Sequence, residues 1–269
     1  AIAAQEKLTP ELEKAINAAE KMQALEDLYL PYRPKRRTRA QIARENGLEP
    51  LAQLIEEQGK PALPLEQLAS MHIDEEKGIA TVEDAWQGAC DIVAENISDS
   101  ADVRKLLRKE LQSTGELVSE LIIDEKDAPE FLQYRDYSEP VRQLPPHRIL
   151  AMNRGEDKKA LKISLRCPDE KLIAKVAQKL NLKEQSPFYT YYHNALTDSY
   201  KRLLLPSLER ELRNELTEKA EKQAISVFAA NLRQLLLTQP ISGHTVLGLD
   251  PGYRTGCKTA VIDANGRIL

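Results

Sequence analysis

Apolar positions recur at helical spacing through most of this 269-residue chain. Thr9-Pro10-Glu11 reads as a helix start, with an N-cap hydroxyl, a proline at the first helical position and an acid near the positive dipole end. Leu12, Ile16, Ala19, Met22, Leu25 and Leu28 then hold one apolar face to about Tyr29, and Pro31 and Pro34 stop it. A second pair follows: a helix from Ile42, a Gly47 cap, and a helix over Pro50–Gln58. Leu65–Met71 is a short helix. Thr81-Val82-Glu83-Asp84 has the form of a capping box and opens a helix to about Asn96, with Trp86, Ala89, Ile92 and Val93 as its stripe and Trp86 and Cys90 read as core. Asp99 is expected to cap a helix over Val103–Gln112. Further helices are expected over Pro145–Asn153, with Arg154-Gly155-Glu156 as the stop, and over Leu172–Leu180 and Phe188–Leu205.

After a kink or restart at Pro206, one stripe runs through Leu208, Leu212, Leu216, Ala220, Ala224, Phe228, Leu232 and Leu235. This predicts a central helix over about 207–237, some 45 Å long at 1.5 Å per residue, around which other helices pack. Successive steps of four drift out of heptad register, which disfavours an interchain coiled coil. Period-two alternation marks a strand over Leu161–Cys167, whereas Glu125–Pro140 reads as irregular structure packing its rings on helices. At the end, Thr245–Asp250 and Cys257–Asp263 read as strands. Asn265-Gly266 is expected to form a type I′ turn, and Arg267-Ile268-Leu269 begins a third strand. Two strands and a stub cannot bury their faces alone, so the chain is expected to stop inside a domain. The expected division is a helical region 1–240 and a β-rich start of a second domain, 241–269.

Hydrophobic residues make up 42% and charged residues 30% of the chain, and no apolar run approaches the roughly 20 residues of a membrane span. Cys90, Cys167 and Cys257 stand far apart with no CxxC or CxxH spacing. A reducing cytoplasm is therefore expected, with no zinc, cofactor or membrane partner. At a net charge of −4, any nucleic-acid binding must be local. It has an obvious locus. Leu30–Ala40 carries Arg33, Lys35, Arg36, Arg37 and Arg39 with no acid among them, held extended by prolines and flanked by Tyr29 and Tyr32. Two readings are open: a loop that contacts phosphates while Tyr32 stacks on bases, or a basic linker solvated or neutralised by acidic helices. Ala43, Gly47 and Leu48 have the small-residue spacing of a helix-turn-helix core. Pro50–Gln58, however, carries Glu56 and Glu57 and no base, so the pair reads as a structural hairpin. His147 and Arg148 in a helix's first turn could hold a phosphate or pair with acids.

Asp250 ends an apolar strand and is followed by Pro251-Gly252, the position of a carboxylate in ribonuclease-H-like sheets. LGLDPGYRTG resembles the opening of a YqgF-type domain. Leu25–Ala52 and Ala220–Leu237 closely resemble the Tex family of bacterial transcription accessory proteins, and Trp86–Arg108 and Pro145–Glu156 fit the same family. The resemblance covers essentially the whole chain. It implies a mainly α fold: a multi-helical N-terminal region with helix-turn-helix character, a long central helix and a short β insertion, ending in a truncated ribonuclease-H-like α/β hairpin. It implies a scaffold that associates with RNA or DNA in transcription, with RNA polymerase or other transcription machinery as protein partner and no catalytic activity. One rival is a metal-dependent nuclease using Asp250, whose partner carboxylates are not visible; another is a protein-docking module.

Overall fold

The structure is a computed structural model and describes all residues except 1, 6, 20, 21, 34–36, 240, 242 and 255. The described residues form eleven α-helices and two small antiparallel sheets, so the chain is mainly α. Contacts divide it into two compact units, Ala1–Ala220 and Glu221–Leu269. No helix among the described residues is long and apolar enough to cross a membrane.

In the first unit, the single helix expected over 10–29 is two, α1 (Pro10–Asn17) and α2 (Met22–Tyr29). Thr9 caps α1 as read, its hydroxyl accepting from the Leu12 N–H at 3.2 Å. There follow α3 (Arg39–Glu45), α4 (Glu49–Glu57), α5 (Leu65–Ser70) and α6 (Val82–Asp99). The capping box at Thr81 and Asp84 is present and sets the start of α6. This helix is the centre of the larger core: Ala85, Trp86, Ala89, Ile92, Val93 and Ile97 are buried, and α3, α4 and α5 pack on it. Gly88 is where the α3–α4 turn meets α6. A Cβ there would lie 2.3 Å from Leu48 Cδ1, so glycine lets the helices cross without displacing Leu48. The α3–α4 pair is thus a structural hairpin, with Ala43, Leu48, Leu51 and Ile55 turned into the core.

Helix α4 ends at Gln58, which adopts a left-handed φ of 55° and is buried. Its side chain donates to the Asn181 carbonyl at 3.3 Å and accepts from the Lys183 N–H at 2.7 Å. Its own carbonyl accepts from the Ser186 hydroxyl at 3.4 Å. Helix α7 (Ala101–Thr114) is capped by Ser100, whose Oγ accepts from the Val103 N–H; Asp99, the expected cap, is instead the last residue of α6.

A second core lies under a three-stranded sheet of order β2-β1-β3, formed by β1 (Glu116–Leu121), β2 (Asp136–Pro140) and β3 (Leu161–Arg166). Strand β3 was expected; β1 was not, and β2 replaces part of the irregular stretch. The rings expected to pack there do so, since Phe131 and Tyr134 are buried. Helix α8 (Pro146–Asp157) runs past the expected stop. Gly155 lies inside it because a Cβ would come 2.5 Å from Leu161 Cδ1, where β3 crosses the helix. Close packing, and not helix termination, explains that glycine.

Helices α9 (Asp169–Lys179) and α10 (Tyr189–Asp198) lead to a π-helical turn, Ser199–Leu204, and then to α11 (Leu205–Leu236). Pro206 has no N–H to donate to the fourth carbonyl back. The wider turn just before it absorbs that missing bond, so the chain continues without a break. The early stripe of α11 is buried at Leu208, Leu212 and Ala220, as a central helix requires. Asp27 of α2 accepts from Arg104 Nε at 2.9 Å and Arg108 Nη2 at 2.9 Å, both on α7, and Glu211 of α11 accepts from Arg108 Nε at 2.5 Å. This two-plus-two cluster is balanced in charge and largely buried. Removal of one partner from such a pair costs about 3–5 kcal/mol.

In the second unit the later stripe is not covered: Phe228, Leu232 and Leu235 are 66%, 40% and 71% exposed. Strands β4 (Val246–Pro251) and β5 (Cys257–Ile262) pair antiparallel with Leu247 and Leu249 exposed, as expected of two strands without a covering layer. The third strand is a single bridge, Ile262 to Ile268. The closing turn is not type I′. Of Asn265 and Gly266 only the glycine has positive φ, at 79°. Asp263 reorganises the loop: its carbonyl accepts from the Gly266 N–H, and its Oδ1 accepts from the Asn265 and Arg267 N–H groups. A type I turn followed by a left-handed glycine results.

Candidate nucleic-acid interface

The basic segment begins where α2 ends. Leu30–Tyr32 makes one 3₁₀ turn, closed by the Arg33 N–H on the Leu30 carbonyl, and Arg33 then leaves in an extended conformation with ψ 133°. Gln5 Nε2 donates to the Tyr32 carbonyl at 2.9 Å and ties this turn to the N-terminal segment. Tyr32 is half-buried and Arg33 exposed. Lys35 and Arg36 lie outside the described residues. The segment ends at Thr38, which caps α3 by accepting from the Gln41 N–H at 3.0 Å and also donates to Glu95 Oε1 at 3.0 Å. This second bond fastens the end of the basic segment to α6. Glu95 is the residue that sequence reasoning missed. It is buried, and it also accepts from Arg44 Nη1 at 2.6 Å, in a network that continues through Asn96 to Glu56.

The cations have different surroundings. Arg37 pairs with Glu45 at 3.3 Å, both well exposed, a contact worth about 0–1 kcal/mol and readily given up to a phosphate. Arg39 opens α3 and is exposed. It attracts the Asp91 carboxylate, although burial still pushes that carboxyl up. Arg33 is set apart from these acids, at the α2 end. The three described charges, Arg33, Arg37 and Arg39, thus meet different neighbours along the chain and do not share one acid.

The other candidates resolve more simply. Arg148 pairs with Glu139 at 2.9 Å, donates to the Tyr137 hydroxyl at 2.7 Å and lies over the Tyr137 ring, so it is structural. Asp250 is exposed on β4 and stands opposite Lys258. Asp263 spends its carboxylate on the turn. Among the described residues no group of three or more His, Cys, Asp or Glu could hold a metal ion. All three cysteines are free thiols; burial pushes Cys90 up to about 12 and Cys167 up to about 11.

Comparison with known proteins gives two family matches: Tex central region-like over residues 60–228, and Tex protein YqgF-like domain over residues 244–269. The chain is 43% identical to Protein tex of Bordetella pertussis, which matches all of it. It is 39% identical to the Transcriptional accessory protein Tex of Neisseria gonorrhoeae, and 36% identical to the human S1 RNA-binding domain-containing protein 1, each over 98% of the chain. It spans 35% of the length of each bacterial relative and 27% of the human one.

Proposed function

The chain belongs to the Tex family, and we propose that it is the helical scaffold of a transcription accessory factor that holds RNA or DNA along its basic segment. The observation that carries this reading is the acid-free run Arg33, Lys35, Arg36, Arg37 and Arg39 in a chain of net charge −4, in a family whose members are named for transcription and for an RNA-binding domain. The described part of the run is exposed and anchored at both ends, by Gln5 on Tyr32 and by Thr38 on Glu95. Phosphate contacts of this kind position a strand without reading its sequence. The reading includes RNA polymerase or another part of the transcription machinery as protein partner, a cytoplasmic location and no catalytic step of the chain's own.

The test is fluorescence anisotropy with single-stranded RNA and DNA over a salt series. Each phosphate neutralised on a single strand contributes a log–log slope of about −0.7. Arg36→Ala combined with Arg37→Ala flattens the slope by about 1.4 and weakens all sequences alike. An unchanged slope and affinity in a variant of native circular dichroism removes the segment as the contact. Pull-down of polymerase with and without nuclease separates a direct protein contact from one bridged by nucleic acid.

A further inference from the structure

Beside the start of the basic segment lies a cleft of about 580 Å³, between the end of α2 and the first turns of α11. That volume falls in the range of about 300–1,000 Å³ typical of small-ligand pockets. Ser207, Arg210, Glu211 and Asn214 of α11 line it at i, i+3, i+4 and i+7, one helix face. Tyr29 and Arg33 line it from the other side. Asp27 and Arg104 also line the cleft; they are bonded to each other, and Arg104 donates to the Ser207 hydroxyl at 3.1 Å.

The charges divide in a way that leaves three groups outside the ion pairs. Asp27 and Glu211 are taken up by Arg104 and Arg108. The lining itself is balanced, three arginines against Glu26, Asp27 and Glu211, but with Arg108 joining from outside the cleft Arg33 and Arg210 face only Glu26. Neither Arg33 nor Arg210 has an ion-pair partner among the described residues. Both are exposed, and Tyr29 is half-buried beside them.

We propose that this cleft seats one phosphate and its adjoining base from single-stranded nucleic acid, with Arg33 and Arg210 on the phosphate and the Tyr29 ring stacked on the base. The proposal rests on the nucleic-acid reading above and adds to it a residue that no basic run contains, Arg210, 177 positions from Arg33 in sequence. Guanidinium forks match phosphate oxygens bidentately. An aromatic face accepts a base of any identity once it is unstacked, and a base inside a duplex is not available for this. The cleft thus selects single strands over duplexes, and Arg37 and Arg39, further along the basic run, are placed to take phosphates beyond the cleft.

The experiment measures binding of a labelled oligouridylate and of a duplex of equal length to the 269-residue chain across a salt series. The variants are Arg210→Ala, Arg210→Lys, Tyr29→Ala, Tyr29→Phe, and Lys171→Ala on α9 as a charge control. Arg210→Ala is expected to reduce the slope by about 0.7, with Arg210→Lys restoring it and Lys171→Ala leaving it unchanged. Tyr29→Ala is expected to lower single-strand affinity by about fivefold or more at high salt, and Tyr29→Phe to keep it. Duplex binding is expected to respond to neither tyrosine variant. If Arg210→Ala behaves as Lys171→Ala does while the Arg36, Arg37 double variant still flattens the slope, the cleft proposal is overturned and the basic-segment reading stands. If the native chain binds no nucleic acid at low salt, both fall.

Discussion

Gly88 offers a sharp test of how the basic segment is supported. The substitution is Gly88→Ala, in the middle of α6. Helix propensity alone favours alanine by about 0.8–1.0 kcal/mol. Packing opposes it. The new methyl group would lie 2.3 Å from Leu48 Cδ1 and 3.5 Å from Ala43 Cβ, and Leu48 is 1% exposed, so it has no solvent to move into. Extra methylenes forced into a packed core cost about 1–3 kcal/mol. The clash outweighs the gain in propensity, and the net effect is a destabilisation of about 0–2 kcal/mol. At about 2–4 °C per kcal/mol for a chain of this size, the midpoint falls by up to about 8 °C. Leu48→Ala alone costs about 2–5 kcal/mol through its cavity. The double variant should cost less than the sum by about 1 kcal/mol, because the methyl group enters the space that Leu48 vacated. Thermal and urea unfolding followed by circular dichroism measure all three. A rise in midpoint for Gly88→Ala, or strict additivity in the cycle, refutes the idea that the α3–α6 crossing is set by contact at this glycine.

Two further outcomes are expected. Burial, with Glu49 nearby, pushes the Glu56 carboxyl above its ordinary value of 4.5, against the bond from Asn96 and the charge of Arg44. The folded state therefore holds that proton longer than the unfolded one, and the associated stability is present at low pH and lost as pH rises through the raised value. Glu56→Gln should raise the unfolding midpoint at pH 7, with the gain shrinking towards pH 4; a gain that grows on acidification has the wrong sign. Asp250 is exposed and has no acidic partners arranged for metal among the described residues, so no cleavage of single-stranded, duplex or branched substrates is expected with magnesium or manganese. Cleavage that disappears in Asp250→Asn contradicts this.

Much of the helical frame was legible because its signals are local. Thr9 and Thr81 announce their helices through side-chain caps, and the stripe of α6 is continuous. The strand Leu161–Arg166 alternates because one face meets the second core. Strand β1 was hidden for the opposite reason: Leu117, Val118 and Ser119 are all buried in succession, so no period of two survives. Strand β2, Asp136–Pro140, is polar and short, and it is a strand because β1 pairs with it. Gly155 and Asn265-Gly266 misled for a shared reason. A glycine's local meaning was overridden by Leu161 in one case and by the Asp263 carboxylate in the other. The basic run was legible as charge. What the sequence could not show was that Thr38 would reach Glu95, 57 positions away, or that Arg210 would share a cleft with Arg33.

The bonds around Gln58 have a consequence in time. They join the end of α4 to Asn181, Lys183 and Ser186, at separations of 123, 125 and 128 residues. On a ribosome adding about 5–20 residues per second, the partners of Gln58 are made roughly 6–25 s after it. Until then the end of α4 has only water for its buried amide and carbonyl. Helices α3 to α6 share many near-neighbour contacts and are free to associate as they emerge, but this corner of their unit stays open until the α9–α10 connection arrives. A nascent chain halted before Asn181 should therefore be nicked by protease near Gln58 and Gly59, and one halted well after Ser186 should not.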